Sequence, residues 1–238
     1  MEDIMKKLSL IIILALCSIA LFAQNVDWLW VKQAGGTDYD FGHSIAVDAN
    51  GNNYVTGSFS GSSTFGTTTL TSSGDKDIFV AKIDHNGNWL WANQAGGISY
   101  DYGRGIAVDD NGNSYITGEF EESAIFGTTT LTSSGDYDIF VAKIDHNGNW
   151  LWAKQAWGIG EDVGFSIAVD ANGNSYITGV FIESANFGTT TLTSSGDYDI
   201  FVAKLDINSN WLWAKQAGGT DDDYGNGIAV DANGNSYV

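Results

Sequence analysis

The sequence predicts an all-β protein assembled from one repeated unit, and three observations carry that prediction. Trp-Leu-Trp begins at Trp28, Trp89, Trp150 and Trp211, a spacing of 61 residues each time. Each unit holds four runs rich in β-branched and aromatic residues, separated by Asn-Gly or Gly-rich turns. After the first two dozen residues, no stretch shows helical spacing of apolar residues flanked by caps. A period of this kind marks a repeat architecture and has to be recognised before any other element is assigned.

The second full unit serves as the type. Residues 105–109 form a short apolar strand. Residues 110–113 turn the chain, with Gly112 free to take positive φ. Residues 114–120 make a second strand. Residues 121–137 are a hydroxyl-rich excursion with a minor strand at 128–132. Residues 139–144 and 150–155 are the third and fourth strands, and 156–164 lead to the next unit. In the third strand Ile139, Phe140, Val141 and Ala142 are apolar on both faces, so the sheet needs a cover on each side. Four-stranded sheets set face to face around an axis meet that demand without helices, and that is the β-propeller. Side chains two apart on a strand share a face, so Trp150 and Trp152 are expected to point the same way, into a joint between blades.

The recurring text is specific. Gly-x-x-Ile-Ala-Val-Asp-x-x-Gly-Asn-x-Tyr-x-Thr-Gly spans 45–57, 106–118 and 167–179. Gly-Asp-x-Asp-Ile-Phe-Val-Ala-Lys spans 74–82, 135–143 and 196–204. This pattern resembles the SBBP repeat, the seven-bladed β-propeller type, of secreted bacterial proteins. The resemblance implies a propeller in an exported protein and implies no reaction. It frames a leading strand at 28–34, full blades at about 42–95, 103–156 and 164–217, and a partial blade at 225–238. About three and a half units lie after residue 23, whereas closed propellers have about four to eight blades. The expectation is therefore an incomplete fragment of a larger ring.

Ahead of the repeats, Lys6 and Lys7 precede an apolar run at 8–22, and Phe22-Ala23-Gln24 offers a cleavage point after Ala23. This reads as a signal peptide over 1–23, since the run falls short of the roughly 20 residues a spanning helix needs. Secretion or display at the cell surface follows as the expected location. The one cysteine, Cys17, lies inside this segment, and Leu16 before it is not the small residue a lipoprotein site wants. The mature chain then has no disulfide to rely on.

Composition removes several functions. Twenty-nine acidic residues face ten basic ones, a formal charge of -19. Nucleic acid and anionic membranes need clustered Lys and Arg, so neither is an expected partner. An enzyme wants unlike groups in distinct roles, and near-identical units repeat the same groups. Arg104 is the lone arginine, which argues against a sialidase-type arginine cluster. His43, His85 and His146 do not converge in sequence position, and the last two read as turn residues. Paired carboxylates for glycosidic cleavage remain an alternative because Asp and Glu are abundant.

The acidic residues gather in the two long loops of each unit, which puts them on one face. Asp38, Asp40, Asp101, Asp162, Asp221, Asp222 and Asp223 lie between units. Asp75, Asp77, Asp136, Asp138, Asp197 and Asp199 precede or open the third strand. Three readings compete for this face: carboxylates that fix their own turns, a calcium site, or a surface for a protein or glycan. Asp40, Asp101, Asp162, Asp223, Asp136 and Asp138 are the candidate cation ligands. The run from Asp48 to Asn52 is a hairpin turn rather than a calcium loop, since the twelfth position is Phe59. The copies differ at 37–39 against 159–161, at His43, Arg104, Phe165 and Asn226, and at 58–62 against 119–123, all on the long-loop side. The favoured reading is a non-catalytic extracellular interaction module. The alternative is a lectin-like or carbohydrate-active propeller that also takes calcium.

Overall fold

The computed structural model describes residues 28–238. The expected signal peptide, the expected cleavage point and Cys17 lie outside the described residues. The chain divides at residue 31, and the repeats occupy Lys32–Val238.

The first unit contains β1 (Gly35–Gly36), β2 (Asp40–Val47), β3 (Asn53–Phe59), β4 (Ser62–Phe65), β5 (Thr68–Thr71), β6 (Asp77–Ile83) and β7 (Trp89–Ala95). The second contains β8 (Asp101–Val108), β9 (Ser114–Phe126), β10 (Thr129–Ile144) and β11 (Trp150–Gly158). The third contains β12 (Val163–Val169), β13 (Ser175–Phe181), β14 (Ser184–Phe187), β15 (Thr190–Thr193), β16 (Asp199–Leu205) and β17 (Trp211–Ala217). A short hairpin of β18 (Ala229–Val230) and β19 (Ser236–Tyr237) follows. The blades are the antiparallel sheets β2-β3-β6-β7, β8-β9-β10-β11 and β12-β13-β16-β17. No helix occurs among the described residues. The fold is all-β, built of propeller repeats.

Each blade presses its first, inner strand against the blade before it. β8 packs on β2 and β3, and β12 packs on β8 and β9. One core fills the first joint, with Tyr54, Ile78 and Val80 facing Ile106, Phe120 and Phe140. A second fills the next, with Tyr115, Ile139 and Val141 facing Ile167, Phe181 and Phe201. Ile106 and Ile167 are each 6% exposed, whereas the equivalent Ile45 is 62% exposed. The same residue is core or surface according to whether a preceding blade covers it.

Two expectations need correction. The segment 28–34 carries no strand. Each fourth strand that forms, β7, β11 and β17, is zipped to the third strand of its own blade. The tryptophans of a pair also do not share a face. Ile144 sits opposite Trp150 and Lys143 opposite Trp152, so Leu151 is the extra residue of a β-bulge. The bulge cancels the alternation. Trp150 packs into the first joint and Trp152 into the second.

The minor strand expected near 128–132 is half of a hairpin, and its partner strand is the larger surprise. β4-β5, the tips of β9 and β10, and β14-β15 are equivalent. Each hairpin pairs with a segment that precedes its own blade: Gly35 of β1 with Thr64, Gly96 just past β7 with Ile125, and Trp157 at the end of β11 with Asn186. The last two backbone clasps tie the second and third blades to their predecessors.

Candidate functional site

Two sets of residues at the blade joints carry chemistry, one from the start of the inner strands and one shared between the inner strands and the third strands. The first set begins with a bulge. Pairing of inner and second strands slips between Gly42 and Ser44, between Gly103 and Gly105, and between Gly164 and Ser166. The residues thrown out of register are His43, Arg104 and Phe165. Bulges re-aim side chains, and here they re-aim the position at which the copies differ most. The neighbour on the second strand changes with it. His43 Nε2 lies 3.4 Å from Ser58 Oγ. Arg104 Nε donates to both oxygens of Glu119, at 2.9 and 3.1 Å. In the third blade the corresponding pair is Phe165 and Val180. Polar, ionic and apolar pairs thus occupy one geometric slot.

Aromatic rings extend from these bulges. Tyr39 stacks on Phe41 at 6.2 Å and Tyr100 on Tyr102 at 6.4 Å. The Arg104 guanidinium lies 4.7 Å over Tyr102. The residue before each third strand links successive blades: Asp101 N donates to Lys76 O, Asp162 N to Tyr137 O, and Asp223 N to Tyr198 O. Lys76 places its ammonium 5.2 Å from both Phe41 and Tyr102, so one cation serves rings of two blades. Tyr137 leans on Tyr102 at 6.5 Å. Tyr198 donates to Glu161 at 2.8 Å and packs on Tyr224 at 6.0 Å. Tyr39, Phe41, Tyr100 and Tyr224 are exposed. Burial and the nearby Arg104 and Lys76 charges lower His43, which keeps its ring neutral. Burial pushes Glu119 up to about 7 against the pull of Arg104.

The second set is a pair of carboxylates at each joint. Asp77 opens β6 of the first blade and Asp101 opens β8 of the second; both are fully buried. Asp77 Oδ2 accepts from Ser73 N at 3.1 Å and Gln94 Nε2 at 3.3 Å. Asp101 Oδ2 accepts from Gly97 N at 2.7 Å. Oδ1 of each has no hydrogen-bond partner. Burial raises Asp77 to about 6. Burial, joined by the Asp77 charge, raises Asp101 to about 8. Asp138 and Asp162 repeat the arrangement one joint on, where Gly158 N and Ser134 N satisfy both oxygens of Asp138.

Of the candidate cation ligands, Asp101, Asp162 and Asp138 lie at joints; Asp40 opens β2 and Asp223 holds the equivalent sequence position outside any strand, each accepting from a glycine N–H at 2.7 Å. Asp136 is exposed within β10 and belongs to no such carboxylate pair. Asp77 is the partner the sequence shortlist omits. Its signal is positional: Asp77, Asp138 and Asp199 all stand first in a third strand that is otherwise apolar. Among the described residues no group of three or more His, Cys, Asp or Glu side chains converges. The turn aspartates serve structure, as one of the sequence readings expects. Asp145, for example, takes the N–H groups of Asn147 and Asn149 at 2.9 and 2.8 Å.

Among relatives, an uncharacterized WD repeat-containing protein, L264, of Acanthamoeba polyphaga mimivirus is 27% identical over 233 residues, covering 80% of this chain and 16% of the relative. The regulatory protein FlaEY of Caulobacter vibrioides is 29% identical over 173 residues, covering 69% of this chain and 18% of the relative. The chain therefore spans less than a fifth of the length of either. A solved structure of a protein of unknown function from Bacteroides caccae aligns over 74% of this chain and 81% of its own, with a TM-score of 0.28 and 11% identity. The SBBP β-propeller repeat family model matches this chain at three places, residues 29–58, 90–119 and 212–238.

Proposed function

We propose that this chain is a non-catalytic, exported interaction module that binds a protein or glycan at the long-loop mouth of its inner strands. One observation carries this reading. Units that repeat letter for letter over 65–75, 126–136 and 187–197 diverge at His43, Arg104 and Phe165, and a conserved bulge geometry directs those three positions to the same place in each blade. A rigid scaffold that varies its aimed side chains is suited to recognition. The apolar run at 8–22 supports export. Repetition of the mouth chemistry from blade to blade favours multivalent contact.

A glycan is the runner-up ligand. Exposed Tyr224, with Asp222 and Glu161 near it, gives a stacking face next to hydrogen-bond acceptors, and Tyr39 and Tyr100 are exposed rings of the earlier blades. The test is a glycan array and a polysaccharide hydrolysis panel run on the same preparation. Binding without turnover supports the lectin-like form of the reading. Turnover that survives purification would overturn the non-catalytic assignment.

A further inference from the structure

Building on that interaction reading, we propose that the third joint is an aromatic cage for a lysine or arginine side chain of a protein partner. This is the joint where the segment leading to β18 meets the third blade. Phe165, Tyr198 and Tyr224 supply its rings, and Glu161 and Asp222 supply its charge.

The first joint shows what such a cage holds. There the Lys76 ammonium lies 5.2 Å from the Phe41 and Tyr102 rings and 6.0 Å from Tyr39. Rings of two blades thus hold a cation that the chain itself provides. Two units on, Tyr198 stands where Lys76 does, Tyr224 where Tyr102 does and Glu161 where Tyr39 does. The backbone frame is the same, with Asp101 N donating to Lys76 O at 2.9 Å and Asp223 N to Tyr198 O at 2.7 Å. Val163 takes the place of Phe41, but Phe165 brings a ring back, 6.5 Å from Tyr224. Tyr198 lies 6.0 Å from Tyr224 on its other side of the joint. The third joint therefore keeps its aromatic surface, gains a carboxylate and loses the internal cation.

The charge is left over. Glu161 accepts from the Tyr198 hydroxyl at 2.8 Å, and Asp222 Oδ1 from the Tyr198 N–H at 3.4 Å. Both donors are neutral, so both negative charges remain. The two carboxylates are exposed, and neither belongs to an ion pair among the described residues. Arg104 feels the Glu161 charge but gives its hydrogen bonds to Glu119. Rings bordered by such carboxylates, in a chain of net charge -19, favour a cation over an anion or a neutral group. A metal ion would need several converging oxygens, and no such group occurs among the described residues. A basic side chain needs no such shell, and its apolar stem can cover the exposed Tyr224 ring. Lys76 is the precedent for a cation that arrives on a polypeptide.

The experiment follows a fluorescent Gly/Ser peptide carrying lysines as it binds the full chain, by anisotropy at physiological salt. The same peptide with every lysine acetylated is the neutral control. Tyr224→Leu removes a ring without changing charge, and Tyr198→Lys installs the cation that the first joint already accommodates. Each should weaken the lysine peptide on the order of tenfold. Tyr39→Leu, in the cage that Lys76 fills, should bind like the wild type, and the acetylated peptide should not bind. A wild type that ignores the lysine peptide overturns the proposal, as does an acetylated peptide that binds equally or a Tyr224→Leu chain of undiminished affinity. Competition on the wild type needs no variant to fold. Tetramethylammonium should displace the peptide more strongly than sodium at equal concentration, and equal displacement would overturn the cage. These failures leave the interaction reading in place, since that reading falls to turnover in the hydrolysis panel.

Discussion

The indole Nε1 of Trp150 donates to the backbone carbonyl of Gln94, 3.1 Å away and one blade back. Trp91, in that earlier blade, sends its own Nε1 forward to the carbonyl of His146, also at 3.1 Å. The joint is thus stitched from both sides, and Trp150 meets Phe126 edge-on at 5.3 Å within it. Trp150→Ala should cost about 3 kcal/mol, the low end for a large aromatic because the ring is half-buried. Trp150→Phe should cost about 1 kcal/mol through the lost hydrogen bond. Chemical denaturation would measure both, and equal losses would mean that packing alone matters.

The architecture was legible because it rests on periodicities. The 61-residue spacing, the apolar third strands and the Asn-Gly turns each read directly as repeat, buried sheet and hairpin. What could not be read were events of register. Leu151 looks like an ordinary strand residue, but its bulge sends Trp150 and Trp152 to opposite joints. Arg104 looks like a lone charge between two glycines, and only the slipped pairing of β8 with β9 aims it at Glu119. The Asp77–Asp101 meeting joins residues of different blades, and nothing local in either stretch encodes it. The rim clasps were hidden for a related reason, because Gly35, Gly96 and Trp157 contribute backbone rather than a side-chain signal.

Turn geometry gives a prediction with two opposite signs. Gly148 turns the second unit at φ 89°, and Ser209 occupies the same place in the third at φ 65°. A non-glycine residue in this region is strained by roughly 1–2 kcal/mol. Ser209→Gly should therefore stabilise by about 0.5–1 kcal/mol once the greater freedom of unfolded glycine is offset. Gly148→Ser should destabilise by more than that strain, because a Cβ there would lie 3.0 Å from Trp91. Parallel urea melts check the pair, and a neutral Ser209→Gly would contradict the strain argument.

The Arg104–Glu119 slot permits a transplant. Arg104→Met leaves Glu119 buried without its bidentate partner and should cost about 3–5 kcal/mol. The double change Arg104→Phe with Glu119→Val copies the Phe165–Val180 pair of the next blade and should recover most of that loss. A double-mutant cycle measures the coupling. Additive single losses would show that the two positions do not form a unit. Ligand binding at the mouth, once found, should fall in the recovered double variant although its fold is restored.

Acidity should stabilise this protein, contrary to the behaviour of chains held by salt bridges. Asp101 and Asp162 are raised to about 8, and Asp77 and Asp138 to about 6, in each case chiefly by burial. Unfolded, the same groups titrate near 3.8. Between these values the native state holds more protons than the unfolded state, so stability falls as pH rises. The loss begins near pH 4 and is complete above about pH 8. Glu121 beside Asp101, and Glu161 beside Asp162, act in the same direction. The turn carboxylates of Asp48, Asp145 and Asp170 are lowered by their Asn partners despite some desolvation, so their contribution fades only in stronger acid, below about pH 4. In chelator, the melting temperature should peak near pH 4–5 and decline toward pH 8.5. Asp101→Asn should flatten the decline and add roughly 1–3 kcal/mol at pH 8. A melting temperature that instead climbs from pH 5 to pH 8 would show that the joint carboxylates are ionised and already compensated in the folded chain.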